Sequence, residues 1–237
     1  MQHLICFDMD RVLVDHMSTW QYVYDQLKIS NQDAFDLYNQ GKLNEWNWLK
    51  MDLALIKDSY PDINDSQMRS LCVGTPLMQG IKECLDWIVS EGHEVAIISG
   101  GMQETARDIA CMYPSDEPWT RRWGGINRHR GCDTKFHVFS NGWLTRNDGS
   151  LEDYGRFQVQ MNGKGSIVKM LQRRLNIPKE RTISIGDSAG DIGMFQESEL
   201  SICFNPWDEK PVAVAKMTIR SRNLLDVLEA IKNQIKG

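Results

Sequence analysis

The sequence predicts an α/β fold, a doubly wound and mainly parallel sheet with a helical cap inserted after the first strand. Two observations carry this. Short apolar runs that end abruptly in polar residues alternate with helices of 3.6-residue periodicity, the pattern of a sheet wound on both faces. Between the first and second of these runs, about sixty residues are helix-like throughout, which marks an insert. Residues 1–15 and 74–237 are therefore expected to form the α/β core, and residues 16–73 a helical cap.

The elements follow in order. His3 to Phe7 (HLICF) reads as a buried parallel strand that stops at Asp8 and Asp10. Three helical stretches come next: one marked by Trp20, Tyr24 and Leu27, one over Asn31–Tyr60, and one over Asp65–Cys72. Thr75-Pro76 opens a helix whose apolar face is Leu77, Ile81, Leu85 and Ile88, and Gly92 stops it. Val95–Ile98 is the next strand; it runs into Ser99-Gly100-Gly101, and a helix follows to about Met112. Residues 114–135 are irregular and rich in Arg, Trp and Gly. His137–Phe139 is expected as a third strand. The turn signal Asn147-Asp148-Gly149, followed by alternating Phe157, Val159 and Met161, predicts a β-hairpin over 141–161. Lys164–Leu175 is helical, Thr182–Ile185 a strand, Asp191–Gln196 the start of a helix, and Ser201–Phe204 a strand. A last helix carries Leu224, Leu228, Ile231 and Ile235. The whole is a Rossmann-like arrangement.

Composition narrows the function. With 27 basic and 32 acidic residues in 237, the formal net charge is −5. That mild acidity argues against nucleic acid or an anionic membrane as a partner. No run approaches the roughly 20 apolar residues of a membrane span, and Asp8 and Asp10 interrupt the only candidate secretion signal. The six cysteines lack metal-binding spacing and read as reduced core residues of a cytoplasmic protein. A monomer or homodimer is expected.

Three apolar strands end in Asp8 with Asp10, in Ser99, and in Asp187. Ligands of open α/β sheets bind outside the carboxyl ends of the strands, so these residues are expected to share one crevice. Together they suit phosphoryl transfer. A carboxylate can attack phosphorus and split one hard step into two. Asp8 and Asp187, with a backbone carbonyl, make an oxygen site suited to magnesium. Asp10 lies two residues on, on the same side of an extended strand, placed to act as acid and then as base. Ser99, the amides near Gly100 at the expected start of a helix, and Lys164 offer donors for a phosphate.

In sequence order, FDMDRVLVD (7–15), AIISGG (96–101), NGKGSIV (162–168) and IGDSAGDIGMF (185–195) resemble the four signature regions of the haloacid-dehalogenase-like superfamily, most similarly its phosphoserine-phosphatase-like, archaeal-type branch. The resemblance spans nearly the whole chain. It implies a magnesium-dependent phosphatase acting on a small phosphorylated metabolite. By that resemblance Asp8 is the nucleophile and Asp10 the acid/base. Ser99, Gly100 and Lys164 hold phosphate; Asp8, Asp187 and the carbonyl of Asp10 hold Mg2+, with Asp191 in support.

Four departures bear on substrate and activity. Arg11 stands where a small residue is usual; it clashes with the site, binds a substrate anion, or points outward, and a block would leave a non-catalytic phosphate-binding relative. Met17 stands where the resemblance implies a Glu for a substrate amine, and no Arg lies between Arg11 and Arg69 to meet a substrate carboxylate. Phosphoserine is thus one candidate beside a sugar phosphate or phosphoglycolate. His16, Trp20, Trp46, Trp48 and Lys50 are alternative pocket residues, unless the tryptophans are cap core. Gly190 replaces an Asn common before the last motif Asp. Arg121, Arg122, Arg128 and Arg130, with Trp119 and Trp123, are expected in a solvated loop or subunit contact.

Overall fold

The computed structural model describes residues 1–115 and 133–236. Among these residues there are seven strands: β1 (Leu4–Phe7), β2 (Glu94–Met102), β3 (His137–Thr145), β4 (Leu151–Arg156), β5 (Thr182–Gly186), β6 (Leu200–Phe204) and β7 (Met217–Ile219). They form one sheet in the order β4-β3-β2-β1-β5-β6-β7. Every pairing is parallel except β3 with β4. The fold is the doubly wound α/β sheet expected.

Alternation along the strands builds two cores. Ile5, Phe7, Val95 and Ile97 face one side, where they meet α5 (Ile81–Ser90), α6 (Gln103–Cys111) and α9 (Leu224–Lys236). Leu4, Cys6, Ala96 and Ile98 face the other, against α7 (Lys164–Leu175) and α8 (Ile192–Gln196). A strand buried on both faces has no polar side, which explains why β1 and β5 read as continuous apolar runs.

Between β1 and α5 lie α1 (Thr19–Leu27), α2 (Gln32–Asn39), α3 (Glu45–Ser59) and α4 (Asp65–Cys72). Val23, Leu27, Leu53, Ile56 and Met68 make a third cluster, seated on Met102, Trp143 and Leu151 from the β2–β4 end of the sheet. The expected single stretch over Asn31–Tyr60 is two helices. Gly41, at φ 69, turns the chain between them, and Asn44 caps α3 by accepting from the Asn47 N–H.

Other boundaries also moved. The helix expected from Thr75 starts at Ile81. Residues 75–80 instead run alongside the loop after β1, with Met78 N–H bonded to Leu13 O and Asp15 N–H to Pro76 O. Gly80, at φ 75, cannot continue a helix and serves as its cap. The third strand and the hairpin are one piece. β3 pairs with β2 over its first half and with β4 over its second, and the hairpin ends at Arg156 rather than 161. Phe157–Gln160 forms no strand, because Asn141 claims its backbone: Oδ1 accepts from the N–H groups of Gln158 and Val159, and Nδ2 donates to Val159 O.

Cys6, Cys72, Cys84 and Cys203 are free and buried, as expected, but Cys111 is in a disulfide, which the reading of all six as reduced missed. Cys132, the tryptophans Trp119 and Trp123, and Arg121, Arg122, Arg128 and Arg130 lie outside the described residues. The flanks of that excursion pair with each other, Ser115 N–H to Asp133 O and Lys135 N–H to Tyr113 O. No helix among the described residues is long and apolar enough to cross a membrane.

Candidate active site

β1 has β2 on one side and β5 on the other, so the chain winds away from β1 in both directions. That switch point is where an open α/β sheet leaves a crevice, and there Asp8 and Asp187 follow β1 and β5. The Asp8 N–H donates to Ile185 O at 2.9 Å, which locks the two strand ends together. Asp8, Asp187 and Asp191 are all buried, and each supplies an oxygen to a group whose members lie within 4.8 Å of one another.

Lys164 opens α7 and is 4% exposed. Its Nζ lies 2.9 Å from Asp8 Oδ1 and 2.7 Å from Asp191 Oδ1. Burial pulls its pKa down, but the Asp191 and Asp8 carboxylates outweigh burial and keep the ammonium charged. Asp191 is the organiser of the group. Its second oxygen accepts from the N–H groups of Asp187 and Ser188 and from the Ser188 hydroxyl. A side chain at position 186 would collide with it, since a Cβ on Gly186 would lie 2.4 Å from Asp191 Cβ.

Burial, then the Asp191 charge, push Asp8 up to about 6 against the pull of Lys164. Burial and the same two neighbouring acids push Asp187 well above the carboxylate range. The cluster is therefore short of positive charge, and its donors are hard carboxylate oxygens. Both features fit a small divalent cation.

Asp10 is raised to about 7, by burial first and then by Asp8. Its Oδ1 accepts the N–H of Thr19 at 3.0 Å. Thr19 is held in turn by the N–H of Met102, which donates to its Oγ1 at 2.8 Å. Gly101 makes room: a Cβ there would lie 2.6 Å from Thr19 Oγ1 and 2.8 Å from Asp10 Oδ2. Thr19 was not singled out from sequence, and its only signal was its place at the start of α1. Ser99 is buried, and its hydroxyl oxygen accepts from the Gly101 N–H at 3.1 Å. The amides near Gly100 do not open a helix as expected. β2 continues to Met102, α6 begins at Gln103, and the Gly100 carbonyl accepts from the Trp20 indole at 3.1 Å.

Arg11 turns into the site, not outward. Nε lies 2.9 Å from Asp187 Oδ2, a second nitrogen donates to Asn205 O at 2.9 Å, and the guanidinium sits 5.2 Å from the centre of the Trp207 ring. Its backbone is left-handed, at φ 61, the reason a small residue suits the position.

A cavity of ≈ 360 Å³ opens over these residues. Asp8, Asp10, Ser99, Gly100, Lys164 and Asp187 line it together, so the structure gathers the residues singled out from sequence. Met17, Trp20, Trp48 and Gly190 also line it, whereas His16, Trp46, Lys50 and Arg69 do not. Arg69 is paired with Asp65 on its own helix.

Comparison with known proteins agrees with this picture. The model of the haloacid dehalogenase-like hydrolase family matches residues 149–231. The chain is 27% identical to phosphoserine phosphatase of Methanocaldococcus jannaschii, over 97% of both chains. It is 26% identical to the phosphoserine phosphatase of Idiomarina loihiensis, over 97% of this chain and 93% of that one. In fold it is similar to a substrate-bound phosphoserine phosphatase, with a TM-score of 0.73 at 22% identity, over 97% of this chain and 98% of that one. The ordered motifs, the crevice they line and these likenesses agree: the chain is similar to haloacid dehalogenase-like hydrolases, and among them to phosphoserine phosphatases.

Proposed function

We propose that the protein is a magnesium-dependent phosphatase that hydrolyses a small phosphate monoester through an aspartyl-phosphate on Asp8, with residues 16–73 as the cap over the site. The observation that carries this is the buried set of Asp8, Lys164, Asp187 and Asp191 beside Asp10, at one end of the sheet.

The chain's own groups suit each step. Met9 N–H and Lys164 Nζ both contact Asp8 Oδ1, which leaves Oδ2 to attack phosphorus. As the P–O bond to the alcohol breaks, Asp10 gives its proton to the leaving oxygen; a pKa near 7 suits a group that must hold a proton and then accept one. Asp10 next takes a proton from water, the water oxygen bonds phosphorus, and the bond to Asp8 breaks, which regenerates the Asp8 carboxylate and the protonated Asp10 and releases phosphate. Lys164 and the Ser99 hydroxyl offset charge on the phosphoryl oxygens. Asp8, Asp187 and the Asp10 carbonyl would hold magnesium, Asp191 would orient them, and the ion would supply charge neutralisation at the phosphoryl group.

The test is phosphate release from a panel of monoesters that includes a chromogenic aryl phosphate, phosphoserine and phosphoglycolate. Release that requires magnesium and stops with a chelator is expected. Equal release with the chelator present would remove the metal from the proposal, and no release from folded protein would remove the enzyme.

The pairing of Arg11 with Asp187 favours one refinement, that Arg11 competes with the metal rather than blocking the substrate. Arg11→Gly would free Asp187 and relieve the left-handed backbone. Magnesium binding, read by titration calorimetry without substrate, is expected to tighten about tenfold. Unchanged or weaker binding would show that Arg11 helps the metal or ignores it.

A further inference from the structure

Within the same cavity, the wall contributed by the cap differs in chemistry from the carboxylate cluster. Asp52 on α3 lines it and is 6% exposed. Asn31 Nδ2 donates to its Oδ1 at 3.3 Å, and Tyr24 and Trp48 stand beside it. Among the described residues no Lys, Arg or His faces this carboxylate as an ion-pair partner. The Tyr24 hydroxyl and the Trp48 indole N–H are buried with no hydrogen-bond partner in good geometry, and Tyr24 is 1% exposed. Trp20, Phe35 and Phe157 add further aromatic surface.

A buried carboxylate without a counter-ion is costly, and burial pushes Asp52 up to about 7. A cation brought in by the ligand would hold it ionised. Aromatic faces attract the same cation, and most strongly where water is excluded. The Tyr24 hydroxyl oxygen can also accept from an ammonium N–H. A neutral polyol would leave the carboxylate uncompensated. A second anionic group would fare worse: among the described residues the cations that line the cavity, Arg11 and Lys164, are already bound to Asp187 and to Asp8 and Asp191.

We infer that the cap wall of the cavity selects the phosphate ester of a small amino alcohol without a carboxylate, its ammonium seated between Asp52 and the aromatic side chains of Tyr24 and Trp48. This rests on the phosphatase reading for the phosphate end alone. The position that the family resemblance would assign to an amine partner holds Met17, which is 46% exposed, so the recognition of an amine has its acid on a different helix.

The experiment compares kcat/KM for ethanolamine phosphate and choline phosphate with that for 3,3-dimethylbutyl phosphate, the uncharged carbon analogue of the choline ester, and with phosphoserine and a nucleoside monophosphate. At least one cationic ester is expected to exceed the uncharged analogue about tenfold or more, and Asp52→Asn is expected to erase most of that ratio. A ratio near one, a ratio that survives Asp52→Asn, or a preference for phosphoserine or the nucleotide would overturn the inference. Calorimetric binding of choline and ethanolamine themselves separates the two readings. If the aryl phosphate is not hydrolysed but the free amines bind and Asp52→Asn abolishes that binding, the ammonium site stands and the phosphatase reading falls. If the aryl phosphate is hydrolysed and neither amine binds, the reverse holds.

Discussion

Replacing Asp8 with Asn is expected to lower phosphate release at least about a thousandfold while leaving the protein folded. The substitution keeps the shape of the side chain and its contact with the Met9 N–H, and removes only the charge that attacks phosphorus. Stability gives a second reading of the same variant. In metal-free protein, burial and the Asp191 charge raise Asp8 from its ordinary value to about 6. Between those two values the folded state holds more protons at this site than the unfolded state, so stability falls as pH rises through the window. Asn does not titrate, and the variant should lack that share of the fall. Denaturant unfolding of both proteins, with chelator, from pH 4 to 8 would show it. A variant that keeps more than about a tenth of the activity would mean that another group attacks phosphorus.

The parts of the molecule that could be read from sequence are those in which neighbours along the chain settle the outcome. β1 and β5 are short, apolar on both faces and ended by acids, so their burial and the meeting of Asp8 with Asp187 follow from local pattern and strand polarity. Lys164–Leu175 has the bounds expected from periodicity, because its buried stripe is continuous. The misses are of another kind. The start of α5 depended on Gly80 adopting a left-handed backbone while residues 75–80 bonded to a distant loop. Asn141 redirected Phe157–Gln160 by bonding across the hairpin. The destination of Arg11 depended on Asp187 and Asn205, which lie far along the chain. Asp52 carried no signal at all: within α3 it reads as an ordinary helical acid, and only the packing of Tyr24, Asn31 and Trp48 around it makes it unusual.

Lys164 is the residue whose loss should affect folding most. It is 4% exposed and serves two carboxylates at once, so Lys164→Met would leave the charges of Asp8, Asp187 and Asp191 within 4.8 Å of one another with Arg11 on Asp187 as the nearest compensation. Methionine has nearly the same length and fills the channel, which makes the loss electrostatic rather than a cavity effect. Breaking a buried pair in this way costs about 3–5 kcal/mol. The deficit should shrink toward low pH, because Asp8, already raised to about 6, takes up a proton and no longer needs the ammonium. It should also shrink when magnesium is added, since an ion that binds only the folded state stabilises it in proportion to its occupancy. A cycle with Asp8→Asn separates the partners: if the 2.9 Å contact carries much of the energy, the double variant will be more stable than the two single losses sum to. A loss below about 1 kcal/mol at pH 7 with chelator would mean that the three acids share protons instead of relying on Lys164, and the cluster would then be neutral enough to need no metal for stability.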